Sequence, residues 1–197
     1  AKAMYRGTEY LATGQPVGDS IGPLIAAKMI GNENMKLIEQ DTVIAVAGYK
    51  DRKLVVMKAA GPGGRLGKLG RATETVLKKY KITRVITIDA AAKLEGEKTG
   101  SVAEGVGVAM GGVGVERAQI ENVAVRNGIP LDNIVVKMSQ EEAITAMPMA
   151  VKNSMPNVTE AFDRLLERTK KGDHILVIGV GNTSGVGNSA KDLKKTM

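Results

Sequence analysis

Two aspartates stand where short loops would hold a reactive group. Asp19 lies in TGQPVGDSIGPLIA, a loop rich in glycine and proline directly before a helix, and Asp89 ends the buried-type strand of RVITIDAAAK. Neighbouring carboxylates can do acid–base chemistry, because proximity raises one pKa and leaves one group to donate a proton and one to accept it. Two such oxygen donors could also hold a hard divalent cation. Each residue has a structural reading beside the chemical one. Asp19 or Ser20 can cap a helix, and Asp89 can bond a turn. At the level of sequence both readings stay open.

A second candidate is GPGGRLGKLGR (61–71), which sets Arg65, Lys68 and Arg71 among five glycines ahead of a helix. Glycine backbones expose N–H groups and a helix N-terminus attracts anions, so this loop could take a phosphate or a nucleotide. It lacks the GK[ST] ending of a P-loop, and a basic loop without a ligand is the alternative. Nucleic acid is not expected, because no aromatic stacking platform accompanies the charge.

Composition removes other chemistries. Among 197 residues there is no Cys and one His, so thiol nucleophiles, disulfides, thiolate metal sites and poly-His zinc sites are excluded. Aromatic residues make up 3%, so Val, Ile, Leu, Ala and Met must fill the core. The net charge of +7 suggests an anionic partner. It is local, since residues 50–84 hold 11 basic residues against only Asp51 and Glu74. No uninterrupted apolar stretch reaches the ~20 residues of a membrane helix, and no signal peptide is legible. The expectation is a cytoplasmic chain, with membrane tethering through a missing N-terminal anchor left open.

These candidates need elements to position them. Periodicity predicts a helix over 22–30, strands over 42–49 and 52–59 joined as a hairpin at Lys50-Asp51, a helix over 71–80 and a strand over 84–88. It then predicts a helix over 115–127, a strand over 133–137, a capping box of Ser139 with Glu142, a helix over 157–171 and a strand over 174–180. Alternating strands and helices imply one α/β domain over 1–197, a three-layer sandwich with a mostly parallel sheet and a hairpin near residues 42–59. Ligands in such folds gather at the carboxyl ends of the strands.

GDSIGPLIA resembles the acid-bearing loop-to-helix motif of the germination proteases, and VITIDAAAK resembles their strand-ending IDA motif. GVGVAMGGVGVER is similar to the glycine-rich segment that follows it. The hydrogenase maturation proteases share this phosphorylase/hydrolase-like fold, and HILVIGVGNTSGVGN (174–188) resembles their first strand and loop; a permuted order with this strand beside the Asp19 loop and a plain last strand with a polar Gly/Asn turn both stay open. The whole chain also resembles an archaeal family of uncharacterised proteins whose longer members carry an N-terminal hydrophobic segment. What the resemblance implies is a peptide or amide hydrolase in which Asp19 and Asp89 activate water. The amides of Gly18, Gly111 and Gly112 would then stabilise an oxyanion, and a divalent metal on the two acids stays open. The maturation proteases add a His ligand, which His174 cannot supply in the matched order. Two other classes stand beside the hydrolase: an anion- or nucleotide-binding module using Arg65, Lys68 and Arg71, and a non-catalytic scaffold domain. The partners expected are a peptide or small anionic ligand, with homo-oligomerisation open.

Overall fold

The computed structural model describes residues 14–107 and 114–193. A 3-10 turn at Gly18–Ser20 runs into helix α1 (Ile21–Ile30), followed by strands β1 (Met35–Glu39), β2 (Thr42–Tyr49) and β3 (Arg52–Ala59). Helix α2 (Leu69–Lys79), strands β4 (Ile82–Ala92) and β5 (Val102–Val106), helix α3 (Val115–Arg126) and strand β6 (Leu131–Met138) come next. Helices α4 (Gln140–Ile144), α5 (Met149–Lys152) and α6 (Met155–Leu166), strand β7 (His174–Gly179) and helix α7 (Ala190–Leu193) complete the order.

The seven strands form one sheet in the order β1-β2-β3-β7-β4-β6-β5. The central four, β3, β7, β4 and β6, run parallel. β1, β2 and β5 join antiparallel at the two sides. The sheet is therefore an even mix, not mostly parallel. The difference arises from β1 and β5, whose sequences MKLIE and VAEGV lack the continuous apolar run of a buried strand. The expected hairpin is present over β2 and β3, with Tyr49 opposite Arg52 and positive φ of 44° and 59° at Lys50 and Asp51. Two left-handed residues at a two-residue turn match the right-handed twist of the flanking strands.

Helices cover both faces of the sheet. Ile21, Leu24 and Ile25 of α1 pack with Val158, Phe162 and Leu165 of α6 on one side. Leu69 and Val76 of α2 pack with Ile120 and Ala124 of α3 on the other. The Ser139–Glu142 capping box forms as the sequence predicts and starts α4. α6 begins at Met155 and ends at Leu166, short of the expected 171. Arg52 explains that end, because its Nη2 donates to the carbonyls of Leu166 and Thr169 and so satisfies the last turn. No helix among the described residues is long and apolar enough to cross a membrane.

The first turn of α1 lies directly over the ends of β4 and β7. A Cβ on Gly22 would stand 2.2 Å from the Val180 carbonyl oxygen and 2.4 Å from that of Ile88. Both are backbone atoms, so neither can rotate away. Gly22→Ala is expected to lower the unfolding free energy by about 3 kcal/mol or more, since over-packing here must move main chain. Urea unfolding followed by circular dichroism checks this, and a loss below 1 kcal/mol would show that α1 can lift off the strands.

Candidate functional site

The carboxyl ends of the central strands carry the titratable groups that the sequence singled out. Asp89, near the end of β4, is 2% exposed. Its Oδ1 accepts from the Ala90 amide at 2.7 Å and from Arg117 Nη2 at 2.8 Å, and its Oδ2 accepts from Arg117 Nε. Arg117 reaches it from the first turn of α3, so this bidentate pair fastens the helix to the strand. Burial pushes the Asp89 carboxyl up, while Arg117 and the Ala90 amide act against that rise. The same carboxylate holds the Arg117 guanidinium above its ordinary range.

Asp19 comes from the 3-10 turn ahead of α1 and is partly exposed. Its Oδ2 accepts from the Asn182 amide at 2.8 Å, and no donor among the described residues meets its Oδ1. Burial is the main reason its carboxyl is pushed up to about 6; the Asn182 amide works against this, Asp89 adds to it, and Arg117 lowers it. The two acids and Arg117 are thus one electrostatic group. The two acids share no hydrogen bond: Asp89 is committed to Arg117, and Asp19 keeps one oxygen without a donor among the described residues. Arg117 keeps Nη1 without a hydrogen bond among the described residues, and its side chain is 20% exposed. An acceptor and donors with no partner among the described residues therefore belong to one electrostatic group.

The loop after β7 completes this end of the sheet. His174–Gly179 is a central strand between β3 and β4, and Asn182 just beyond it bonds Asp19, so this segment does lie beside the Asp19 loop. Gly181 adopts φ of 133°, and a Cβ there would lie 2.1 Å from the Asp19 carbonyl oxygen, so only glycine fits. Lys58, fully buried at the end of β3, donates to the Ala59 carbonyl at 2.7 Å and to Asn188 Oδ1 at 3.0 Å. Burial lowers its ammonium to about 7, opposed by the charge of Asp192.

The basic loop is built differently from the expected anion cradle. The N–H groups of Gly61, Arg65, Lys68 and Gly70 donate to Asn188 Oδ1, Thr183 Oγ1, Thr42 Oγ1 and Glu116 Oε2. Those donors are occupied by the protein itself. The Arg65 side chain pairs with Asp41 at 3.2 Å, Lys68 is the N-cap of α2, and Arg71 lines a groove between α2 and α3 with Glu74 and Arg126. The three side chains make no common cluster. Gly18 also gives its N–H away, to the Thr145 carbonyl at 3.2 Å. Gly111 and Gly112 lie outside the described residues. Among the described residues no group of three or more His, Asp or Glu side chains could hold a metal ion.

Arg117, Asn182 and Lys58 were missed at the level of sequence. Arg117 closes the GVGVER run and Asn182 sits within GVGNTSGVG, so both were visible only as parts of glycine-rich segments. A signal existed for Arg117, as a cation in the first turn of a helix opposes the macrodipole and calls for an acidic partner.

The pKa shifts predict opposite pH responses. For Asp19 the folded value near 6 lies above the unfolded 3.8, so the folded chain binds this proton more tightly and stability falls as pH rises from 4 to 6. Above that window the constant deficit is on the order of 2 kcal/mol after allowing for partial solvent access. Asp19→Asn keeps an acceptor for the Asn182 amide and should be more stable than the parent by that amount at pH 8, and equal to it at pH 4. Thermal melts at both values check this, and equal destabilisation at both would contradict it. For Lys58 the folded value near 7 lies below the unfolded 10.5, so stability rises with pH between 7 and 10.5. Lys58→Met should lose that rise, on the order of 2 kcal/mol between pH 7 and 9, read from urea unfolding of both proteins.

Solved structures similar to this chain include a proteasome-assembly chaperone homologue from Mycobacterium tuberculosis, at TM-score 0.45 and 14% identity over 81% of this chain and 93% of that one. A protein of unknown function from Corynebacterium glutamicum matches at TM-score 0.38 and 12% identity, over 65% of this chain and 59% of that one. No curated protein gives a significant match. The family that the sequence matches is a domain of unknown function and not the germination or maturation proteases, so the resemblance read from GDSIGPLIA and VITIDAAAK is corrected, and with it the peptide-hydrolase function drawn from it. Those motifs mark a strand end and a helix start that many α/β chains need, and Asp89 is locked to Arg117 rather than poised as a second acid. Residues 17–187 match the family model described as "Domain of unknown function (DUF1512) C-terminal", and the chain belongs to that family.

Proposed function

We propose that this domain binds a small polar ligand at the carboxyl ends of β7 and β4, with Asp19 and Arg117 as its contacts. The observation that carries the reading is the unused hydrogen-bonding capacity there. Asp19 Oδ1 accepts from nothing and Arg117 Nη1 donates to nothing among the described residues, yet the two groups act on each other electrostatically. A partly buried carboxyl raised in pKa beside a fixed guanidinium is a frequent mark of a functional site. Asp89 supports the site by holding Arg117 in place and has no direct contact with the ligand. The phosphorylase/hydrolase-like naming of the fold goes with this reading, because ligands in open α/β sheets sit beyond the strand carboxyl ends.

The complementary ligand presents a hydrogen-bond donor and an acceptor side by side, as a primary amide or a nucleobase edge does. With both acids ionised the site carries a net charge of −1, so a free anion is disfavoured. Thermal-shift measurements at pH 7 with glutamine, nicotinamide, adenine, cytosine and guanosine test this. At least one should raise the melting temperature by 2 °C or more at millimolar concentration, and the shift should vanish in Asp19→Asn. A shift that persists undiminished in that variant, or none across the panel, would count against the assignment.

A further inference from the structure

The amino ends of the central strands form a second face, and it gathers five cations that have no acidic partner among the described residues. Lys53 is the second residue of β3, Lys79 and Lys81 flank the junction of α2 and β4, Arg126 ends α3, and Lys170 precedes β7. Topology brings them together. Lys53 and Ile82 both pair with His174 across β7, the Val85 amide donates to the Pro130 carbonyl, and the Gly172 amide donates to the Asp51 carbonyl. All five cations are exposed and none has an acidic partner among the described residues. The acids of this end are largely engaged: Asp163 pairs with Lys50, Asp51 with Lys171, and Asp132 with both Arg84 and Arg168. Glu167 and Asp173 are the others there, and Asp173 accepts from the Lys170 amide at 2.9 Å.

The basic stretch 50–84 therefore does not form one patch. β3 carries the chain from this face to the opposite one and α2 carries it back. Arg65, Lys68 and Arg71 fall at the carboxyl end among acids, while the lysines near residues 50 and 80 gather at the amino end.

We propose that this face docks an acidic protein segment, each lysine meeting a carboxylate of the partner. Lysine ammonium groups on flexible stems suit separate carboxylates as point charges. Rows two strands apart are about 10 Å apart, a reach that an extended acidic chain can follow. Nucleic acid fits less well. Four of the five cations are lysines, which lack the planar guanidinium fork that meets a phosphate bidentately.

Fluorescence anisotropy of a labelled ten-residue polyglutamate peptide with the whole chain tests this at 50 mM salt. The set Lys79→Glu, Lys81→Glu and Lys170→Glu should weaken binding at least tenfold, and Lys68→Glu with Arg65→Glu at the opposite end less than twofold. The corresponding Gln set, which removes charge without reversing it, should weaken binding by an intermediate factor; it serves also if the Glu set melts early. Equal effects of the two ends, no binding of the peptide, or tighter binding of a 20-base-pair duplex or of phosphatidylserine vesicles would overturn the proposal.

Discussion

A buried ion pair fixes the carboxyl end of this sheet. Asp89 is removed from water at the end of β4, and a carboxylate there is costly unless a cation and hydrogen-bond donors compensate it. Arg117 supplies both, and in doing so pins the first turn of α3 against the strand. Truncating either partner would leave an uncompensated buried charge, which typically costs 3–5 kcal/mol. Asp19 inherits its character from this arrangement. It feels a charge that is already neutralised, in a place dry enough to resist ionisation, and one of its oxygens meets no donor among the described residues.

The loops around this pair are held by close backbone contact rather than by large side chains. Gly22 lies against the ends of β4 and β7, and Gly181 against the Asp19 turn. Lys58 reaches from β3 to the Ala59 carbonyl and to Asn188 in the loop after β7. Such contacts leave little room for adjustment, which suits groups that must be held in fixed relation. The opposite end of the sheet is built on other terms. There the charges are long, exposed and mobile on their stems, and the buried acid Asp132 is satisfied by Arg84 and Arg168.

Much of this organisation was legible in the residues. TVIAVAGY and RKLVVMKA declare a hairpin through their β-branched runs, and Ser139 with Glu142 declares a helix start. Asp19 stood out in a glycine- and proline-rich loop before a helix and Asp89 at the end of an apolar run, and the structure places both at one end of the sheet. What escaped was long-range. β1 and β5 gain strand form from their neighbours, since MKLIE and VAEGV have no strong period of their own. The glycines of 61–70 looked like an anion cradle because sequence cannot show that Asn188, Thr183, Thr42 and Glu116 take their neighbouring amides. The partner of Asp89 lies 28 residues further along the chain, beyond the reach of local pattern.

The account turns on the electrostatic state of Asp19 beside the Asp89–Arg117 pair. A carbon-13 NMR titration of the aspartate side-chain carboxyls, with Asp19 assigned by its loss in Asp19→Asn, measures this directly. The expected Asp19 midpoint is near 6, moving with substitution of Asn182 or Arg117. A midpoint near the ordinary 3.8 would contradict it, because the group would then be a solvated loop acid with no reason to be singled out.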